Sequence, residues 1–105
     1  MSREHSSERY SFEAEVWEWS AKNSWFFLSV PEDDADDIEE RYRQRAAGFG
    51  SIRVEVTIGS STWRTSLFPS TEQKTYVLPL KKVVRTAEGI ELGSTVAVDL
   101  VVVTD

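Results

Sequence analysis

The feature that most constrains this fold is a plan that occurs twice along the chain. The first copy is a short apolar strand ending at Pro31, a helix, and Gly50-Ser51 before a run of alternating apolar residues. The second copy repeats this order with Pro79 and Gly93-Ser94 around a shorter helix. Proline is tolerated in a first helical turn and glycine commonly ends a helix, so each copy predicts a strand–helix–strand unit. Two such units in one chain predict an internal duplication.

The segments outside the helices show the period of two that is typical of half-buried strands. Residues 52–58 alternate Ile or Val with polar side chains, and residues 10–19 alternate in the same way. Trp17 and Trp19 break the second pattern because they fall on the same side as the glutamates. Either a bulge shifts the phase there or both sides of that strand end are covered. The sequence predicts a disordered leader over residues 1–9 and one β-barrel domain over residues 10–105.

The two predicted helices differ in charge. The first begins with Glu32-Asp33-Asp34 and ends with arginines, which matches the helix macrodipole. Its opposite charges four residues apart are Asp37/Arg41 and Glu39/Arg43, and its predicted buried stripe is Ala35, Ile38, Tyr42 and Ala46. The second helix, predicted over residues 80–88, carries Lys81, Lys82 and Arg85.

Composition excludes several kinds of chemistry. The 105 residues contain no cysteine, which rules out disulfides, thiolate metal sites and cysteine nucleophiles. The one histidine, His5, lies in the predicted leader, so a serine–histidine pair in the domain is excluded. A net charge of −6 makes nucleic acid an unlikely partner. The carboxylates of residues 32–37 lack the ligand spacing of a calcium loop, so we expect no metal and no cofactor.

Location follows from the same composition. The longest apolar run, residues 100–103, is far shorter than the roughly 20 residues that span a bilayer. The N-terminus has no apolar stretch of the kind found in signal peptides. The sequence therefore predicts a cytoplasmic protein with no membrane association.

The second unit resembles a known structural element. Leu78-Pro79, Arg85 and Gly93-Ser94 are similar to the swapped-hairpin unit of AbrB-type and MazE-type regulators, with Ser94 at the usual place of an aspartate. In those proteins two chains interlock to close a barrel. One chain holding both halves implies a monomeric pseudo-dimer, a split β-barrel without open sheet edges.

A second resemblance covers nearly the whole domain. The chain is similar to a bacterial family known as domain of unknown function nineteen-oh-five. The segments that carry the resemblance are residues 12–16, 25–31, 54–59, 63–69, 76–81, 84–89 and 92–93. It implies a mainly β split barrel with two short helices and assigns no activity. Because Ser94 replaces the usual acid, an essential carboxylate at that turn is excluded here.

One cluster is a candidate binding site. Trp63, Arg64 and Ser66 share a strand, and Lys81 and Arg85 share the second helix. If Arg64 and Arg85 approach one opening lined by tryptophans, the site suits an anionic or planar ligand. In the alternative interpretation the tryptophans are core, Arg64 pairs with a first-strand glutamate and Arg85 pairs locally.

Three functions follow from these patterns. The first is a non-enzymatic module that binds a small anionic or aromatic ligand or a protein. The second is a nucleic-acid-binding regulator of the swapped-hairpin type. The third is an enzyme that uses carboxylates such as Glu13, Glu15 or Asp99, although no spacing in the sequence pairs two of them.

Overall fold

The computed structural model of the protein describes residues 9–19, 25–46 and 50–103. Its strands are β1 (Arg9–Glu15), β2 (Trp17–Trp19), β3 (Trp25–Ser29), β4 (Ile52–Ile58), β5 (Ser61–Ser70), β6 (Thr75–Pro79) and β7 (Thr95–Val102). Its helices are α1 (Glu32–Tyr42), which continues into a 3-10 turn at Arg43–Arg45, and α2 (Lys82–Glu88). The predicted mainly β fold with two short helices is confirmed. Residues 1–8 of the predicted leader lie outside the described residues, and Arg9 is the first residue of β1.

The strands form an antiparallel sheet in the order β1-β7-β4-β5-β6-β3-β2. Its two edge strands, β1 and β2, are consecutive in the chain and separated only by Val16. Val16 continues the pairing of β1 with the chain before β7, because its N–H donates to the Ser94 carbonyl and its carbonyl accepts from the Gly93 N–H. One continuous stretch of chain therefore supplies both edges, which gives the sheet the curled, barrel-like form predicted from the sequence.

Two strands pass between the halves of this barrel. We call β1, β7, β4 and the first part of β5 the first sheet, and β2, β3, β6 and the last part of β5 the second sheet. Strand β5 pairs with β4 as far as Leu67 and with β6 from Phe68 onward. The β1–β2 stretch changes partner in the same way at Val16. Val16 and Leu67 are both buried, so each crossing point lies inside the core.

The pairing of the two units is reciprocal. The Val30 N–H donates to the Tyr76 carbonyl at 3.0 Å, and the Leu80 N–H donates to the Phe26 carbonyl at 2.9 Å. Exchanging β3 with β6 and β4 with β7 reproduces every strand pair if β1–β2 corresponds to β5. In this correspondence Pro31 matches Lys81, the residue before each helix.

Strand β6 ends at Pro79, as predicted, but the second helix begins at Lys82 and not at residue 80. Pro69 lies within β5. In the β3–β6 register Pro79 occupies a non-hydrogen-bonded position, since its neighbour Leu80 makes the bond to β3. The nitrogen of Pro79 therefore points away from β3, toward the side on which β5 no longer pairs with β6. The absence of an N–H group at Pro79 thus removes no hydrogen bond from the sheet.

Each helix is tied to a strand by a hydroxyl–carboxylate hydrogen bond, and Glu88 on α2 also accepts one from the Ser60 hydroxyl in the turn before β5. The Tyr10 hydroxyl on β1 donates to Asp37 on α1 at 2.5 Å, and the Ser61 hydroxyl on β5 donates to Glu88 on α2 at 2.5 Å. Both bonds join residues 27 positions apart in the sequence. The helices thus occupy corresponding places in the two units.

Helix α1 confirms most of its predicted contacts. Ala35, Ile38 and Tyr42 are buried, and Ala46 packs against the core from a partly exposed position. Arg41 makes the expected ion pair with Asp37 at 3.0 Å. In the parts of the chain that the structure describes, this is the one ion pair, and the Glu39/Arg43 pair is not formed. Neither helix among these residues is long and apolar enough to cross a membrane.

We predict that Tyr10→Phe destabilises the protein by about 1 kcal/mol at pH 7, since a hydrogen bond to a partly exposed carboxylate is lost. The Tyr10 hydroxyl is the main cause that lowers the pKa of Asp37, helped by Arg41 and opposed by burial. Because the pKa of Asp37 is lower in the folded state, its carboxylate stabilises the protein above the unfolded pKa of 3.8. This stabilisation is lost as the pH falls through the folded-state pKa. The measurement is urea unfolding between pH 2.5 and 7.

Tyr76→Phe is the matched control, since Tyr76 is also buried but its hydroxyl has no hydrogen bond among the described residues. It should change the free energy of unfolding little at either pH. A Tyr10→Phe effect that persists unchanged at pH 2.5 would contradict the role of the Asp37 carboxylate.

Candidate functional site

Strand β5 divides the predicted site between its two faces. Trp63 lies opposite the buried Val56 of β4 and packs against the core, so it points into the barrel. Arg64 is the next residue and is exposed on the outer face, opposite Glu55. Ser66 lies on the same outer face, opposite Arg53. The strand therefore separates Trp63 from Arg64 and Ser66.

The indole nitrogen of Trp63 is a donor without a partner. Its Nε1 atom is buried and has no hydrogen-bond acceptor in the described part of the chain. The great majority of buried polar atoms in proteins are paired, and an unpaired donor costs about 1–3 kcal/mol. Trp17 shows the ordinary arrangement, because its Nε1 donates to the Ser29 hydroxyl at 2.9 Å. Trp63 thus has an unused capacity to bind one acceptor atom.

Arg85 is a second donor that is only partly used. Its guanidinium carbon lies 4.2 Å from the centre of the Phe26 ring, and its Nε donates to the Leu80 carbonyl at 3.2 Å. No carboxylate in the described ranges lies within ion-pair distance of it. A guanidinium carries five N–H groups in a rigid fork, so most of them have no acceptor from the described residues. This local packing is what the alternative interpretation predicts for Arg85.

The path of α2 brings Arg85 toward Trp63. Helix α2 follows β6, which runs antiparallel to β5, and it ends where Glu88 accepts from Ser61 at the beginning of β5. Arg85 is one helical turn before Glu88, and Trp63 is two residues after Ser61 on the same inward face. The helix therefore lies over the part of β5 that carries Trp63. We name this pair of donors, with Phe26, the α2-end site.

The α2-end site differs from its counterpart in the first unit. Ala35 corresponds to Arg85, because their N–H groups bond to the carbonyls of Pro31 and Lys81 respectively. Phe12 corresponds to Trp63, since each lies two residues after the hydroxyl that anchors its helix. The first unit thus fills these positions with apolar side chains, whereas the second places hydrogen-bond donors there.

The tryptophans Trp17, Trp19 and Trp25 line no opening in the barrel and instead lie on the outer side of the second sheet. Trp17 stands opposite Phe27 with ring centres 5.1 Å apart, and Trp19 stands opposite Trp25. Trp25 stacks on Phe27 at 6.3 Å. We call the outward apolar side chains of this sheet the aromatic face; they are Trp17, Trp19, Trp25, Phe27, Phe68, Val77 and Pro79. The apolar residues at Trp17 and Trp19 therefore mark the point where the chain passes from the first sheet to the second. The alternation of inward and outward side chains continues unchanged through this point, without a bulge.

Lys81 belongs to this outer surface. The β3–β6 register continues through the Leu80–Phe26 bond and places Lys81 beside Trp25, at the beginning of α2. Of the predicted site residues, Trp63 points into the barrel from β5, and Arg85 packs on the Phe26 ring of β3. Arg64 and Ser66 lie outside the first sheet, and Lys81 lies outside the second. Phe26 was not predicted, although its alternation with Trp25 and Phe27 could have assigned it to the inner face.

The described surface depressions lie away from the α2-end site. One of about 180 Å³ separates α1 from the β5–β6 turn, and is lined by Asp36, Glu39 and Lys74. Another, of about 410 Å³ on the outer face of the first sheet, contains Glu13 and Asp99. Asp99 accepts a hydrogen bond from Ser11, and Glu13 is exposed, so the acids of the enzyme hypothesis are not buried together. No group of three potential metal ligands occurs within the described ranges.

The chain matches the model of a known protein family. The model of the family DUF1905, a domain of unknown function, matches residues 12–100. No curated protein matches the chain. The matched residues extend from within β1 to within β7, and the family description assigns no activity.

We predict that Trp63→Phe costs less stability than Trp17→Phe, by about 1 kcal/mol, in the protein without ligand. Both changes remove the same atoms from a partly buried side chain, but Trp17 loses a hydrogen bond while Trp63 loses an unpaired donor. Urea unfolding of the two variants at pH 7 measures the difference. An equal or larger loss for Trp63→Phe would show that its N–H has an acceptor in solution.

Proposed function

We propose that this chain, which belongs to the DUF1905 family, is a non-enzymatic module that binds a small anionic aromatic ligand. The observation that carries the proposal is the buried, unpartnered indole N–H of Trp63 beneath the helix that carries Arg85. Two donors without a carboxylate partner favour a ligand that brings its own acceptor atoms. The open positions of Glu13 and Asp99 favour binding over carboxylate catalysis.

The chemistry of the ligand follows from the three side chains. The guanidinium of Arg85 suits a carboxylate or phosphate, which it binds through two parallel N–H groups. The Trp63 N–H supplies a third donor for the same group or for a ring carbonyl. The Phe26 ring already carries the guanidinium on one face, so a planar ligand can extend the stack. The binding group is therefore an anion attached to a flat ring.

The regulator of the swapped-hairpin type is the second candidate from the sequence. The repeated strand pairing agrees with an internal duplication of that kind of unit, which remains part of the proposal. The net charge of −6 opposes contacts with phosphate backbones, and α1 adds a dense acidic surface. We therefore place ligand binding first.

A thermal-shift titration tests the proposal with phenyl phosphate and benzoate as aromatic anions. We expect these to raise the melting temperature by about 10–20 °C at concentrations about 100 times the dissociation constant, where binding stabilises by about 2.7 kcal/mol. Acetate and benzyl alcohol, which supply only the charge or only the ring, should shift it much less. Arg85→Met should weaken binding at least about tenfold, and Trp63→Phe about fivefold.

Arg64→Met is the matched control, because Arg64 is an exposed arginine on the outer face of the first sheet. It should bind the aromatic anions as the wild type does. The proposal fails if no aromatic anion stabilises the protein, or if Arg85→Met and Arg64→Met bind equally well.

A further inference from the structure

The outer faces of the two sheets differ sharply in polarity. The outward residues of the first sheet are mostly polar, among them Ser11, Glu13, Thr57, Arg64 and Asp99. The second sheet instead carries the aromatic face. Trp19 is 53% exposed, Trp25 52% and Phe68 44%, and they account for three of the five exposed large apolar side chains in the described residues. Contiguous apolar surface of this kind marks an interaction site.

The aromatic face has opposite charges at its two ends. At one end Lys81 lies beside Trp25, and the exposed Lys82 follows at the first residue of α2. At the other end Pro31 continues β3, and the exposed Glu32 and Asp33 begin α1. The basic end and the acidic end are each the beginning of a helix, and Lys81 corresponds to Pro31 in the internal repeat. Both ends therefore lie on the same side of the second sheet.

The neighbouring charges do not disturb this division. The β5–β6 turn lies at the acidic end and contributes Glu72 and Lys74, which are both exposed and opposite in sign. Glu18 lies opposite Phe26 on β2 and therefore points to the other side of the strand from Trp17 and Trp19. The face thus consists of an aromatic centre, a basic end and an acidic end.

A surface of this kind is complementary to itself, and we propose that the aromatic face binds a second copy of this chain. A two-fold axis that lies in the interface and runs across the strands places the basic end of each copy over the acidic end of the other. An axis along the strands would instead bring lysine against lysine and carboxylate against carboxylate. Electrostatics therefore selects one arrangement for the dimer.

The size of the face sets the strength of this dimer. Four strands about 4.8 Å apart and about five residues of 3.3 Å each give a face of roughly 300 Å² in projection. Two copies together contribute roughly 600 Å², which is below the roughly 1,200 Å² of a standard specific interface, so association should be weak and should depend on protein concentration. The sequence predicts a monomer without open sheet edges, whereas the sheet has β1 and β2 at its edges. Contact through the side chains of the aromatic face uses neither edge. Dimerisation uses other residues than the α2-end site and is independent of it.

Sedimentation velocity of the full chain from about 1 µM to 1 mM tests the proposal. We expect a monomer–dimer equilibrium that Trp25→Ser weakens at least about tenfold, since an exposed aromatic anchor is lost. Val101→Ser is the matched control, because Val101 is an apolar residue opposite Glu55 on the outer face of the first sheet. It should associate as the wild type does. Thermal melts confirm that each variant is folded.

Charge reversal tests the orientation separately. Lys81→Glu/Lys82→Glu makes both ends acidic, and Glu32→Lys/Asp33→Lys makes both basic, so each variant alone should associate at least about tenfold more weakly. Mixed in equal amounts, the two should form a heterodimer, because both contacts then join opposite charges. A wild type that stays monomeric up to 1 mM overturns the proposal. So does a dimer that neither Trp25→Ser nor the charge reversals weaken.

Discussion

The structure depends on two strands that change partner in mid-course. At Val16 and at Leu67 the chain leaves one sheet and joins the other without a turn, and both side chains are buried where this happens. A strand of this kind belongs to both sheets, so neither half can form its complete set of hydrogen bonds alone. Each crossing strand also carries, before its crossing point, the hydroxyl that anchors a helix, Tyr10 for α1 and Ser61 for α2. The crossings and the helix anchors therefore follow the same internal repeat.

The same constraint explains which sequence patterns predicted structure correctly. Alternation predicted β4, and acidic and basic residues at its ends predicted α1, because those signals report local burial and the local helix dipole. Pro79 was misinterpreted as the opening of the second helix, because proline is tolerated in a first helical turn. It is the last residue of β6, and its nitrogen faces the side on which β5 no longer pairs with β6. Only the pairing register reveals such a position, and a single sequence does not contain it.

The candidate site shows a similar limit. The sequence grouped Trp63, Arg64, Ser66, Lys81 and Arg85 because they are close along two segments and chemically suited to anions. Strand geometry sends adjacent residues to opposite faces, so Arg64 and Ser66 lie outside the barrel while Trp63 points into it. The missing partner of the Trp63 N–H depends on every side chain around it. No pattern within β5 distinguishes Trp63 from Trp17, which has its acceptor in Ser29.

The differences between corresponding positions of the two units indicate where function lies. Corresponding positions face similar surroundings, so the fold alone would accept similar residues in both units. The chain departs from this at Ala35 and Arg85, at Phe12 and Trp63, and at Glu32 and Lys82. A barrel needs none of these differences, since the first unit packs its helix with apolar side chains at the same places. The first two differences put donors at one end of the barrel, and the third puts opposite charges across the aromatic face. Because packing does not require them, binding is the better explanation for both.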